Sequence, residues 1–156
     1  MLRGKNSIVR DSVKIFFPEN LSIGKNTVID DDVILICKKK LIIGNNVHIA
    51  PKTIIRSHEK IIIGNYVQIS SFVDIFTATS LPNSYGHFNF KKTKQNSKEL
   101  MIMNKSFIGS HSVILPGSKI CEGTWIGPST VIDFKTLSWS TYLGNPARKV
   151  GERKKI

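Results

Sequence analysis

The sequence predicts an all-β chain wound as a parallel solenoid, because it carries two nested repeats. Glycines recur every twenty residues in the first half of the chain, at Gly4, Gly24, Gly44 and Gly64. Later in the chain, aliphatic residues recur every sixth residue, at Ile108, Ile114, Ile120, Ile126 and Ile132. A period of six is not that of a helix. It fits three short strands per coil, each with one side chain pointing inward.

Stacking of the coils explains why the aliphatic residues keep one phase from repeat to repeat. A single coil cannot bury its own aliphatic side chains, whereas coils stacked about 4.8 Å apart bury them against one another. We expect about five to six coils, since each takes roughly twenty residues of the chain. The early coils are two residues longer than the late ones. This predicts one enlarged corner per early coil, which in the third coil lies around Ser57-His58-Glu59-Lys60.

Composition and charge exclude several classes of protein. The chain of 156 residues has 40% hydrophobic residues, too many for intrinsic disorder, and two cysteines, too few for a disulfide-stapled miniprotein. No apolar run approaches the ~18 residues of a membrane span, and no secretory signal is visible, so we expect a cytoplasmic protein. The formal net charge is +12. The basic clusters are not interleaved with aromatic residues, so no nucleic acid partner is expected.

Four segments resemble the motifs of the hexapeptide-repeat acyltransferases. They are Ile-Gly-Asn-Asn-Val-His, Phe-Ile-Gly-Ser-His-Ser-Val-Ile-Leu-Pro-Gly, Trp-Ile-Gly-Pro-Ser-Thr-Val-Ile and Leu-Gly-Asn-Pro-Ala-Arg-Lys-Val. Within this family the chain most resembles the galactoside, maltose and xenobiotic O-acetyltransferases, and it is similar to small acetyltransferases of O-antigen and capsule synthesis. The resemblance implies a left-handed parallel β-helix, acetyl-CoA as co-substrate and a sugar or glycan acceptor. It also implies a homotrimer with active sites between neighbouring subunits.

The repeat is interrupted once within the single domain 1–156. The hexads stop after Ile75 and are expected to resume at Phe107, which leaves an inserted loop over residues 77–105. A C-terminal segment with a basic tail, residues 133–156, follows the last hexad. A loop this long inside a compact domain is typically functional. By the resemblance it helps to wall the acceptor site, whose candidate residues are Ser57, His58, Asn83, Ser84 and Tyr85.

Acetyl transfer to a hydroxyl needs a general base, and a neutral histidine suits that role because its pKa lies near neutral pH. The favoured candidate is His87 in the inserted loop, and the alternative is His58 in the enlarged corner. A mechanism without a histidine base also stays open. His48 is expected on the surface. Cys37 and Cys121 are expected to be free thiols that carry no acyl group, with Cys121 facing outward.

The resemblance also implies a binding strip for acetyl-CoA toward the C-terminal end, where its phosphates would meet cations and backbone donors. The candidate cofactor-binding residues are Ser110, His111, Pro128, Ser129, Lys135, Arg148 and Lys149. Proline has no N–H, so only the carbonyl of Pro128 could contact the pantetheine arm. No metal is expected, because the histidines lack the spacing of a zinc site.

The sequence therefore predicts an acetyl-CoA-dependent O-acetyltransferase that acts on a hydroxyl of a sugar or surface-polysaccharide precursor. Two alternatives stay open. One is an N-acetyltransferase of a nucleotide-linked amino sugar, and the other is a catalytically inactive β-helix scaffold. Binding of CoA separates the enzymes from the scaffold, and the acceptor separates the two enzymes.

Overall fold

The computed structural model describes residues 1–80 and 95–155 and confirms the predicted fold, a left-handed parallel β-helix of about six coils. Three sheets form its sides, named faces A, B and C in the order in which the chain crosses them. The strands of face A are Leu2–Arg3, Leu21–Ile23, Leu41–Ile43, Ile61–Ile63, Leu100–Ile102 and Lys119–Ile120. The strands of face B are Ile8–Val9, Val28–Ile29, His48–Ile49, Gln68–Ile69, Phe107–Ile108, Trp125–Ile126, Ser140–Leu143 and Arg148–Glu152. The strands of face C are Lys14–Phe16, Ile34–Ile36, Ile54–Arg56, Asp74–Phe76, Val113–Ile114 and Val131–Ile132.

Between the faces the chain turns at three corners, named AB, BC and CA. In the third coil these corners are residues 44–47, 50–53 and 57–60. Two elements lie outside the faces: a 3₁₀ turn at Pro18–Asn20, and an antiparallel pair formed by Ala78–Ser80 and Gln95–Ser97. Across residues 1–80 and 95–155 there is no helix long and apolar enough to cross a membrane.

The core consists of one column of aliphatic side chains behind each face, as the phase of the repeat predicts. On face B, Ile49 aligns with Ile29 and Ile69 in the parallel register, and none of the three is more than 1% exposed. Burying such a side chain stabilises the fold by about 1.5–3 kcal/mol relative to leaving it exposed. The repeat thus specifies which side chain of each strand enters the core.

Close approach of successive coils explains the glycines at the AB corner. A Cβ atom on Gly24 would lie 2.4 Å from the carbonyl carbon of Gly44, so any side chain there would push the coils apart. Buried hydroxyl groups satisfy the corner carbonyls: Thr27 Oγ1 donates to the Gly44 carbonyl at 2.8 Å, and Ser112 Oγ donates to the Gly127 carbonyl at 2.9 Å. These polar groups are therefore buried with hydrogen-bond partners.

The insertion is shorter than the sequence analysis predicted, because the coil resumes at Leu100. Leu100–Ile102 pairs in parallel with Ile61–Ile63 on face A, and both of its ends are buried. The expected loop 77–105 therefore contains a core strand, and the repeat returns before Phe107. The signal was the alternation of buried and outward residues in Leu-Met-Ile, which matches Leu41–Ile43 two coils earlier.

The C-terminal segment extends face B. Ser140–Leu143 pairs in parallel with Trp125–Ile126, and Arg148–Glu152 returns antiparallel along Ser140–Leu143. Tyr142 is buried at this end of the core, and its hydroxyl accepts a hydrogen bond from the Leu137 N–H at 3.0 Å. The first part of the predicted basic tail is therefore an ordered strand.

The cysteines and one histidine test smaller predictions. Both thiols are free, as predicted, but Cys121 is only 6% exposed, which corrects the expectation that it faces outward. The reason is the C-terminal segment: the Cys121 N–H donates to Thr136 Oγ1 at 2.9 Å. Burial raises the pKa of Cys37 to about 11, so this thiol is a poor nucleophile. His48 is exposed, as predicted, and its Nε2 lies 2.7 Å from Asp30 Oδ2.

Candidate functional site

The predicted site residues that the structure describes fall mainly at the two edges of face C. Ser57 and His58 occupy the CA corner of the third coil. The insertion leaves the solenoid at the CA corner of the next coil, after Thr77. The opposite edge, the BC corner, carries four of the predicted cofactor residues: Ser110, His111, Pro128 and Ser129.

The base of the insertion is hydrogen-bonded to the corner that carries His58. The Glu59 N–H donates to Thr77 Oγ1 at 2.8 Å, and Ser97 Oγ donates to Glu59 Oε1 at 3.2 Å. Where the chain returns, the Leu100 N–H donates to the Lys60 carbonyl at 3.1 Å. Both ends of the insertion are therefore attached next to His58.

His58 has the protonation state of a general base. Its ring is partly buried, and Nδ1 has no hydrogen-bond partner within the described residues. Burial lowers the pKa of His58 below its ordinary value of 6.5, and the positive charges of Lys38 and Arg56 lower it further, against an opposing effect of Glu59. The imidazole is therefore neutral at pH 7 and can accept a proton.

A fixed cation that was not predicted from the sequence lies beside His58. Arg56 Nη2 donates to both carboxylate oxygens of Asp74, at 2.8 and 2.7 Å, and the guanidinium lies 4.9 Å from the centre of the Phe76 ring. Both charged residues have apolar neighbours in their outward-facing columns, since Arg56 aligns with Ile36 and Phe76, and Asp74 aligns with Ile54 and Val113. That contrast was the available signal.

Of the residues predicted to contact the acceptor or to act as its base, some are described by the structure and others are not. Ser57 is fully buried, and its hydroxyl donates to the Lys39 carbonyl at 2.6 Å. This corrects the expectation that its side chain contacts the acceptor, since the hydroxyl closes the corner instead. The other candidates, His87, Asn83, Ser84 and Tyr85, lie outside the described residues.

The BC corner is a regular stack of side chains. The Phe72 and His111 rings lie 4.8 Å apart and nearly parallel, at 7°, and Lys52 Nζ lies 5.4 Å from the centre of the Phe72 ring. The next coil continues the column, because the Ser129 N–H donates to the Ser110 carbonyl at 2.9 Å. The predicted cofactor residues of this corner therefore form one continuous strip. Phe72 belongs to the same strip, and its place in the repeat, one coil before His111, was the signal for it.

The C-terminal cations divide between the two edges. Gly144 closes the BC edge, since its N–H donates to Thr130 Oγ1 at 3.0 Å, and Arg148 follows in register with Leu143. Arg148 thus extends the strip beyond Ser129, and Lys149 beside it pairs with Glu152 at 2.8 Å. Lys135 lies instead at the start of face A, in parallel register with Lys119 and apart from the other predicted cofactor residues.

The width of face C separates the two groups. His111 in the BC corner and Pro116 in the CA corner of the same coil lie on either side of the strand Val113–Ile114, and five residues of extended chain would span at most roughly 16 Å. One copy of the chain therefore presents the neutral histidine on one edge and the stacked strip on the other. The described residues of a single chain do not bring them together.

Comparison with known proteins gives matches among solved structures. No family model and no curated protein matches the chain. A variant of AntD, an N-acyltransferase from Bacillus cereus, in complex with dTDP and Coenzyme A, is 29% identical over 97% of this chain and 84% of its own, with a TM-score of 0.91. Another AntD variant, in complex with dTDP-4-amino-4,6-dideoxyglucose and Coenzyme A, is 28% identical over 98% of this chain and 83% of its own, also with a TM-score of 0.91.

A more distant structure shares the fold. A maltose O-acetyltransferase from Clostridium difficile 630 is 20% identical over 97% of this chain and 69% of its own, with a TM-score of 0.69. At that identity it supports the architecture alone. The similarity to AntD confirms two predictions made from the sequence motifs, the resemblance to hexapeptide-repeat acyltransferases and the assignment as an acyltransferase.

Proposed function

We propose that this hexapeptide-repeat acyltransferase moves an acetyl group from acetyl-CoA to the amino group of a nucleotide-linked amino sugar. One observation carries the proposal: a neutral His58 stands beside fixed and exposed cations at the foot of the insertion. The similarity to AntD over nearly the whole chain supports both co-substrates. The proposal thus prefers N-acetylation, which was the alternative prediction from the sequence, to O-acetylation.

The cations of the CA edge fit a nucleotide diphosphate. Lys38, Lys39 and Lys40 are exposed in the CA corner of the second coil, directly before the coil that carries His58. Arg56 adds a cation held in place by Asp74. Phosphate oxygens form charge-assisted hydrogen bonds with such groups, which would hold the sugar near the histidine.

The chemistry of the transfer is simple. The neutral amine attacks the thioester carbonyl, so a C–N bond forms and the C–S bond breaks. His58 accepts the proton that the amine loses, and this proton then neutralises the sulfur of the departing CoA. His87 is the competing candidate for the same role. The pantetheine arm of acetyl-CoA would follow the BC strip, where Ser110, His111, Pro128, Ser129 and Arg148 are proposed to contact CoA.

The separation of the two edges supports a homotrimer. The outward side of face C is rich in partly buried aliphatic residues, which a second copy could cover: Ile34, Ile54, Val113 and Val131. A neighbouring copy can also place its BC edge against the CA edge of the first. We propose that each active site forms in this way, between subunits related by a threefold axis.

Transfer to a sugar hydroxyl is the second candidate. The segment Gly144-Asn145-Pro146-Ala147-Arg148 resembles that of the sugar O-acetyltransferases, and its glycine closes the BC edge. A hydroxyl acceptor needs the base earlier in the reaction, because the neutral hydroxyl is a weaker nucleophile than an amine. A polysaccharide precursor and a cytoplasmic location remain predictions with this candidate.

The deciding experiment measures CoA release by the purified full chain with acetyl-CoA and matched acceptors. The acceptors are dTDP-4-amino-4,6-dideoxyglucose, the same nucleotide sugar with a hydroxyl at that carbon, and free maltose. We expect thiol release with the amino sugar alone. Release with a hydroxyl acceptor alone would overturn N-acylation in favour of O-acetylation. Absence of acetyl-CoA binding up to millimolar concentration in a parallel titration would contradict both and leave the scaffold.

A further inference from the structure

A cavity lies at the AB corner of the later coils, on the far side of the helix from face C. Its volume is about 430 Å³, which is within the range of small-molecule sites. Its walls include three aromatic rings, one amide and two cations, from Tyr66, Gln68, Lys105, Phe107, Trp139 and Arg153. None of these residues belongs to the two edges that form the candidate acyl-transfer site.

One coil lacks a side chain at this corner, and the Trp139 indole occupies the space. In the AB column Lys105, Gly123 and Trp139 follow one another, as their backbone hydrogen bonds to the preceding coils show. A Cβ atom on Gly123 would lie 2.5 Å from atoms of the Trp139 ring. The glycine therefore lets the indole lie across the coil, where it forms one wall of the cavity.

The same column changes its residue types where the cavity begins. In the first three coils the position holds Asn6, Asn26 and Asn46, and in later coils Tyr66, Lys105 and Trp139, all with φ between 53° and 60°. Asparagine adopts this left-handed conformation at little cost, whereas larger side chains are disfavoured there. The later coils accept that strain and in return present aromatic and cationic groups at one place.

The charges of the cavity are positive and held in place. Arg153 Nη1 donates to the carbonyls of Gly123 and Lys105, at 2.9 and 3.3 Å, which fixes the guanidinium in the wall. Lys105 Nζ lies 5.7 Å from the centre of the Trp139 ring. No acidic side chain lines the cavity, and no salt bridge among the described residues involves either cation. An anion would therefore meet two cations without a competing carboxylate.

We infer that this cavity binds a free mononucleotide. The base stacks on the Tyr66 ring, which is 60% exposed, and the phosphate lies between Lys105 and Arg153. Stacking on an aromatic face and a charge-assisted bond to phosphate are the two interactions that such a ligand needs. The inference does not depend on the proposed function, because the cavity shares no residue with the acyl-transfer site.

The test is a titration of the full chain with AMP, followed by tryptophan fluorescence. The two tryptophans of the chain suit this readout, since Trp139 lines the cavity and Trp125 packs beside Phe107, with ring centres 6.2 Å apart. We expect saturable binding of AMP, and binding at least tenfold weaker for adenosine and for ribose 5-phosphate, which each lack one of the two contacts. No AMP binding up to millimolar concentration would overturn the inference.

Variants then locate the site. Tyr66→Asn and Lys105→Asn install the residue that the column uses in its first coils, so the corner conformation is kept. Each should weaken AMP binding at least tenfold, whereas Lys25→Asn, at the same corner in the second coil, should leave it unchanged. Saturation with CoA should leave AMP affinity unaltered. Loss of AMP binding on adding CoA, or weakened CoA binding by these two variants, would show instead that the cavity belongs to the CoA site.

Discussion

The two edges of face C differ in regularity, although the same strands end at both. The BC edge is a column of side chains in matching positions, in which Lys52, Phe72 and His111 stack in successive coils. The CA edge carries single polar groups instead, with the His58 imidazole beside the Arg56–Asp74 ion pair. A regular edge presents one repeated surface to a long, extended ligand. An irregular edge can place individual groups for chemistry.

The difference originates in the length of the coils. The early coils are twenty residues long and the late ones eighteen, and the two extra residues lie on either side of the CA corner. The strands that flank this corner in the third coil, Ile54–Arg56 and Ile61–Ile63, are each one residue longer than Val113–Ile114 and Lys119–Ile120. Arg56 is one of these extra residues, and the insertion starts one coil later at the same corner. The BC corners keep one length throughout, so their side chains stay in register.

The largest expected effect comes from removing the base at the CA edge. His58→Ala should lower turnover by about 10²–10⁴-fold, because no side chain would take the proton that the sugar amine loses. His48→Ala is the matched control, since that exposed imidazole is bonded to Asp30 on face B and should have no effect. Steady-state kinetics on both variants and on His87→Ala decide the comparison. A loss confined to His87→Ala would transfer the base to the insertion.

Mixing two inactive variants tests whether the edges of different copies meet. His58→Ala damages the CA edge, and Ser110→Trp is expected to block the BC strip. In co-assembled trimers, about one quarter of the sites would combine two intact edges, so activity should return to about that fraction of the unmodified enzyme. Activity that stays absent in verified mixed trimers would mean that both edges of one chain serve the same site.

Reversing charge at the end of the BC strip should weaken binding of the co-substrate. The double variant Arg148→Glu, Lys149→Glu should raise the Kd of acetyl-CoA about tenfold or more, because its phosphates would face anions. The pair Lys154→Glu, Lys155→Glu makes the same charge change a few residues later and serves as the control. Calorimetric titration measures both. If both double variants weakened acetyl-CoA binding equally, the effect would come from the net charge of the protein and not from contacts of Arg148 and Lys149.

The smallest expected effect is a shift of the pH profile. His58 must be neutral to accept a proton, so kcat/KM should rise with pH through the pKa of His58 and stay level above it. Lys38 lowers that pKa, and Lys38→Glu removes the cation and adds an anion, so the rising limb should move to higher pH. Lys5→Glu, in the AB corner of the first coil and therefore distant from His58, should leave the pH profile unchanged. An unaltered profile for Lys38→Glu would show that His58 does not control the limb.

Much of the fold was predictable from local pattern, and parts of the site were not. Phe72 could have been identified as a member of the BC strip, because it occupies the repeat position of His111 one coil earlier. The pairing of Arg56 with Asp74 is harder to foresee, because the two residues are eighteen positions apart and meet only when their coils stack in register. The burial of Ser57 is a similar case, since its hydroxyl closes a corner of the preceding coil.

The sequence by itself determined the solenoid, the inward columns and the enlarged corner. An aliphatic residue at every sixth position allows only one set of side chains to face the core. The tertiary structure decided where the repeat resumes at Leu100, why Cys121 is covered, and that the histidine and the stacked strip lie on opposite edges of face C. It also brought Tyr66, Lys105 and Trp139 together around one cavity. These features depend on which residues of different coils become neighbours, and the length of each corner sets that alignment.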